Sequence, residues 1–144
     1  MYPWLNDPQQ VVARTVWGEN RGGGYIGMQS VANVIMNRAK RGGWWGATPM
    51  AVCLHPWQFS TWNPMIVHQT PDSNYLATVS VTDENILFEY ALQIAQLAIA
   101  GALPDLTEGA DSYYALSLDA APAWAKNAVH TMDIAGQSFY KTVM

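Results

Sequence analysis

The sequence predicts an α+β fold, mainly helical at first and closing on a small antiparallel β-sheet toward the C-terminus. Three observations carry this reading. Long stretches of 3.6-residue apolar periodicity lie before Gly101, strand-like segments follow it, and no Gly/Ser linker separates the two. The 144 residues fit one domain spanning 1–144. With 50% apolar and only 12% charged residues, the chain can bury a core, which excludes general disorder.

The first helix is predicted from about Pro8 to Arg21. Asp7 is its N-cap, and Pro8 takes the first helical position, where its missing N–H costs nothing. Val12, Val16 and Glu19 share one strip of this helix, and Gly22-Gly23-Gly24 stops it. The second helix runs from about Tyr25 to Arg41. Met28, Val31, Ile35 and Ala39 form its buried stripe, with Ala32 and Met36 beside them. Arg38, Lys40 and Arg41 suit the negative end of its dipole, and Gly42-Gly43 ends it. Thr48-Pro49 opens a short helix that stops before Pro56. The stretch Trp57 to Pro71 reads as irregular, and Tyr75 to Val81 as a strand or a further short helix.

A third long helix is predicted from about Asp83 to Ala100, capped by Thr82, with Ile86, Tyr90, Ile94 and Leu97 on one face. Ser112–Ala115 and Val129–Ile134 read as strands. Ala135-Gly136 is a turn candidate, and Gln137 to Val143 a returning strand.

Several function classes are excluded. The most apolar stretch, Ala91 to Leu103, is broken by Gln93 and Gln96 and is shorter than the roughly 20 residues of a membrane span. A formal charge of −4 and a pI near 5.1 argue against a nucleic-acid partner. Cys53 is alone, and His55, His68 and His130 lack ligand spacing, so no metal site is expected. The glycines at 22 to 24 follow no strand, which removes a nucleotide loop.

Three places could carry chemistry. Glu19 puts a carboxylate on an apolar strip. It is either a desolvated general acid at a cleft floor or a helix-end glutamate paired with Arg14, Arg21 or a residue on another helix. Gln58-Phe59-Ser60, between Trp57 and Trp62, offers amide and hydroxyl groups among rings. That suits a sugar, and it equally suits a loop pinned by aromatic packing. Of Tyr113 and Tyr114, strand alternation sends one ring inward and one outward. Cys53 reads as a small buried hydrophobe; a Cys–His nucleophile with His55 is disfavoured, since residues two apart on a helix face differently.

The run Ala13-Arg14-Thr15-Val16-Trp17-Gly18-Glu19-Asn20-Arg21-Gly22 resembles the opening motif of the SleB-type cell wall hydrolases, the catalytic domains of spore cortex-lytic enzymes. The likeness continues through Val31 to Arg38, Gln58-Phe59-Ser60, Asp105, Thr107, Gly109-Ala110, Tyr113-Tyr114, Pro122 to Ala125, Ile134, Gly136, Phe139 and Tyr140, in family order. Asn20, Gly23, Leu106 and Asp111-Ser112 depart from the family pattern without touching Glu19.

The resemblance implies a lysozyme-like domain acting on peptidoglycan glycan strands. It makes Glu19 the catalytic acid, with Gln58, Ser60 and the pair Tyr113 and Tyr114 toward the substrate. It implies no cofactor, and a monomer is expected. A lytic transglycosylase requires one carboxylate. A hydrolase usually requires a second, for which Asp111 and Asp119 are the candidates. The opening residues Met1 to Asp7 lack the basic and apolar parts of a secretory signal. The expectation is therefore a protein made in the cytoplasm that reaches the wall after release, as in phage lysis or on a virion, or else a fragment of an exported protein.

Overall fold

Burial of one helix organises the molecule. The structure, a computed structural model, describes residues 2–143. Helix α1 (Pro8–Asn20) starts at the Asp7 cap, whose side chain accepts from the Gln9 N–H at 3.0 Å. All residues from Val11 to Trp17 are buried, so α1 is enclosed on every side. Around it pack α2 (Gly24–Arg41), α3 (Pro49–Cys53), α5 (Ser73–Ser80) and α6 (Ile86–Ile99), while α4 (Asn63–Ile66) is a single turn between α3 and α5. Arg14 sits inside this bundle because its charge is distributed. It donates to the Thr78 carbonyl at 2.8 Å and Gln10 Oε1 at 3.1 Å, and lies over the Trp4 and Phe88 rings.

Asn85, not Thr82, caps α6, by accepting from the Phe88 N–H at 3.1 Å, and the helix begins at Ile86. Its buried stripe is Phe88, Ala91, Ile94, Ala95 and Ala98, which leaves Ile86, Tyr90 and Leu97 exposed. The physical reason is close packing. Three alanines let α6 lie against α1, and Phe88 fills the remaining space edge-on to Trp17. The segment left open between strand and helix is helix α5, and the stretch read as irregular contains a 3₁₀ turn, Ser60–Trp62, before α4.

After α6 the chain forms β1 (Ser112–Ala115), β2 (Ala128–Ile134) and β3 (Gln137–Thr142). They pair antiparallel in the order β1-β3-β2, with Tyr113 opposite Phe139. Ala135 and Gly136, both at positive φ, make the two-residue hairpin turn that the sheet twist favours. Phe139 and Ala110 pack on Val34 of α2, forming a second, smaller core.

A polar clamp fixes the sheet to the end of α2. Asp111 is 0% exposed; it ion-pairs with Arg41 and accepts from the Thr142 N–H at 3.0 Å, the Thr142 hydroxyl at 2.8 Å and the Ser112 hydroxyl at 3.2 Å. Each neighbour satisfies part of a carboxylate that could not otherwise be buried. Asp111→Asn is expected to cost about 2–4 kcal/mol of folding stability, because it uncouples Arg41 and removes an acceptor from a closed network. Urea denaturation measures this, and a midpoint equal to wild type would show that the clamp contributes nothing.

Candidate active site

Glu19 occupies the last turn of α1, where the chain leaves the core. Its Oε2 accepts from the Thr61 backbone N–H at 3.2 Å, and its Oε1 from the Tyr113 hydroxyl at 3.2 Å. Neither Arg14 nor Arg21 pairs with it. Arg21 donates to the Trp17 carbonyl and to Asn74 Oδ1, and its guanidinium stacks 4.0 Å from the Trp17 ring. The residue retains a partly open surface, yet enclosure by protein atoms raises the carboxyl pKa above its ordinary value. The Thr61 N–H, the Tyr113 hydroxyl and the charge of Arg38 act in the opposite direction and are outweighed.

Close approach of the Thr61 loop depends on Gly18. A Cβ there would lie 2.5 Å from the Thr61 hydroxyl oxygen and 2.8 Å from that of Thr78. Glycine in a helix is locally unfavourable, and here its bare backbone lets the loop descend onto α1. Asn74 of α5 braces the junction, donating to the Gly18 carbonyl at 3.1 Å. The loop is anchored from below by two buried rings, Phe59 and Trp62, and the Trp62 indole N–H donates to Thr15 Oγ1 at 2.8 Å.

Tyr113 is the inward ring of its pair. It stacks near Phe139 at 5.4 Å, and burial together with the Glu19 charge pushes its hydroxyl pKa well up, so it remains a donor. Tyr114 faces the other side of β1, where its ring lies against Tyr140 and Trp124, away from the Glu19 contacts. Gln58 lines a cleft of about 590 Å³ together with Arg38, Trp44, Trp57, Tyr113 and Trp124. Glu19 lies one hydrogen bond beyond the Tyr113 wall of that cleft. Ser60 is exposed and is not among the residues forming the cleft wall.

Arg38 belongs to the site although its sequence position suggested a dipole cation. It is 7% exposed, donates from Nε to the Asp111 carbonyl at 2.7 Å and from Nη1 toward Gln58 Oε1 at 3.5 Å, and lies 5.3 Å from each of the Trp45 and Phe59 rings. The signal was present in the sequence: Arg38 follows Val31 and Ile35 on the buried stripe of α2, as Glu19 follows Val12 and Val16 on α1.

Asp111 is consumed by its clamp and Asp119 is exposed, and neither is among the groups that act on the Glu19 carboxyl. Cys53 is fully buried, which pushes its thiol up to about 12 and leaves it without nucleophilic character. Among the described residues no group of His, Cys, Asp and Glu could hold a metal ion.

The Glu19 carboxyl is shielded from water beside a cleft lined with indoles and the Gln58 amide, and the mainly helical fold with its small sheet is of the lysozyme type. By class the protein is a cell-wall-degrading glycosidase. The chain belongs to the cell wall hydrolase family, whose pattern spans residues 22–140 and begins just after Glu19. The fold is similar to the catalytic domain of the germination-specific lytic transglycosylase SleB from Bacillus anthracis, with 25% identity, TM-score 0.66, and 94% of this chain and 95% of that one covered. It is equally similar to the catalytic domain of the Bacillus cereus SleB protein, with 25% identity, TM-score 0.66, and coverage of 98% and 93%. No curated protein sequence shows significant similarity.

The raised Glu19 pKa has a thermodynamic consequence with a definite sign. The folded state holds this proton more tightly than the unfolded chain, so the stability it confers in acid is lost as pH rises through the folded-state pKa. Glu19→Gln, which carries no charge at any pH, should therefore melt higher than wild type at pH 8, with the gap closing toward pH 4. Thermal melts across that range test this; a gap that opens in acid instead would reverse the assignment.

Proposed function

We propose that the protein is a lytic transglycosylase that cuts the β-1,4 bond from N-acetylmuramic acid to N-acetylglucosamine in peptidoglycan, with Glu19 as both acid and base. The observation that carries this reading is the pairing of one desolvated carboxyl with donors that suit its ionised form. Protonated Glu19 gives its proton to the glycosidic oxygen while C1 of the muramic residue acquires oxocarbenium character. The carboxylate left behind is stabilised by the Thr61 N–H, the Tyr113 hydroxyl and the Arg38 charge. It then takes the proton from the muramic C6 hydroxyl, whose oxygen closes on C1. The products are a 1,6-anhydro end and a free N-acetylglucosamine hydroxyl, and Glu19 is protonated again.

The sugar thus supplies its own nucleophile. A retaining hydrolase would place a second carboxylate about 5–5.5 Å from the first, and an inverting one about 6.5–9.5 Å away. A neighbour at the shorter distance would raise Glu19 further by like charge, and among the described residues no carboxylate does so. The SleB relative from Bacillus anthracis, described as a lytic transglycosylase, supports the same choice. Gln58 is suited to bind a sugar hydroxyl or acetamido group in the cleft; Ser60 and Tyr114 would serve substrate only at its margins.

Glu19→Gln should lower the cleavage rate by about 10²–10⁴-fold in a folded protein, the usual cost of losing a positioned general acid. Wild-type fragments should carry anhydro-muramyl ends, about 18 mass units lighter than the water-added products of hydrolysis. Mass spectrometry of soluble products decides this, and reducing-end muramic acid as the primary product would identify a hydrolase. Tyr113→Phe removes a donor to the carboxylate. Its basic kcat/KM limb should move to higher pH while kcat falls about tenfold. An unmoved limb would remove Tyr113 from the acid's environment.

A further inference from the structure

Trp57 combines three features that the fold itself leaves without compensation. Its φ is 67°, in the left-handed region that bulky residues seldom enter. It stands at the third position of the turn His55-Pro56-Trp57-Gln58, closed by the Gln58 N–H to the His55 carbonyl at 3.3 Å. Proline second and positive φ third is the pattern in which glycine is the ordinary third residue. The residue is also 64% exposed. The other exposed indoles of the cleft have ring neighbours: Trp44 lies 4.8 Å from His55 and 5.7 Å from Trp45, and Trp124 lies 5.5 Å from Tyr140. Among the described residues Trp57 stacks on no aromatic ring.

A left-handed backbone here presents a largely exposed indole with no ring partner among the described residues, yet its placement is firm. Phe59, two residues on, is buried and fixes the loop. The indole borders the same cleft as Gln58 and Tyr113, and Tyr113 is the residue that donates to Glu19. The axial C–H groups of a pyranose form an apolar face that matches an indole, while the neighbouring amide can take an equatorial hydroxyl.

We propose that Trp57 is the stacking platform for a sugar unit of the glycan strand beyond the reacting bond, and that it sets how tightly the strand is held rather than how fast the bond breaks. This rests on the glycan-cleaving reading above. The test compares wild type, Trp57→Gly and Trp57→Phe on purified glycan strands freed of stem peptides, and measures binding separately in the Glu19→Gln background. Glycine suits the turn, so Trp57→Gly should melt no lower than wild type. Its KM, and its Kd in the Glu19→Gln background, should rise about tenfold, with kcat within about twofold. Trp57→Phe, which keeps a smaller ring, should recover part of the affinity. Unchanged KM and Kd in Trp57→Gly would overturn the proposal and leave the enzyme's reaction standing. So would a fall in melting temperature without loss of affinity, which would make the ring structural. Wild-type protein that neither binds nor cuts the strands would overturn the underlying reading, and the proposal with it.

Discussion

Two long-range hydrogen bonds to one carboxyl group set the terms for the rest of the molecule. Thr61 reaches Glu19 from a loop 42 residues downstream, and Tyr113 from a strand 94 residues downstream. Bringing them there requires a helix bundle to bury α1, a glycine at position 18 to admit the loop, and a sheet clamped to α2 by Asp111 and Arg41. Removing any of these parts would disturb the position or the hydration of that carboxyl.

The chemistry follows from a balance of opposing effects. Desolvation favours the neutral carboxyl, which is the form that can donate a proton. The surrounding donors and Arg38 favour the carboxylate, the form that the proposed reaction requires midway. Burial alone would give an acid unable to release its proton. Donors alone would give a carboxylate that never holds one near neutrality. Both together suit a group that works in each direction within one turnover, and this is what a reaction using the substrate's own hydroxyl demands.

The legible parts of this sequence were those set by short-range physics. Caps at Asp7 and Thr48, the glycine stops, the stripe of α2 and the Ala135-Gly136 hairpin all follow from local dihedral and hydrogen-bond preferences, and they stand in the structure. The buried face of α6 differs from the one that the spacing of Ile86, Tyr90, Ile94 and Leu97 picks out, and only Ile94 belongs to both. A helix pressed against an enclosed neighbour buries alanines and leaves Ile86 and Leu97 outside. In the site, Glu19 stood out because a charge on an apolar strip is costly, and the same argument applies to Arg38. The Thr61 contribution is a backbone N–H and has no residue-type signature at all. Alternation could separate Tyr113 from Tyr114 but could not say which ring turned inward; the pairing of Tyr113 with Phe139 decides that.

The central claim is that enclosure holds the Glu19 carboxyl above its ordinary titration range in the free protein. Its side-chain carbonyl carbon, labelled with carbon-13 and assigned by comparison with Glu19→Gln, can be followed directly by NMR as pH is varied. The account predicts a midpoint above the ordinary value of 4.5. A midpoint at or below that value would contradict it, because the carboxyl would then be an ordinary solvated anion at working pH with no proton to give.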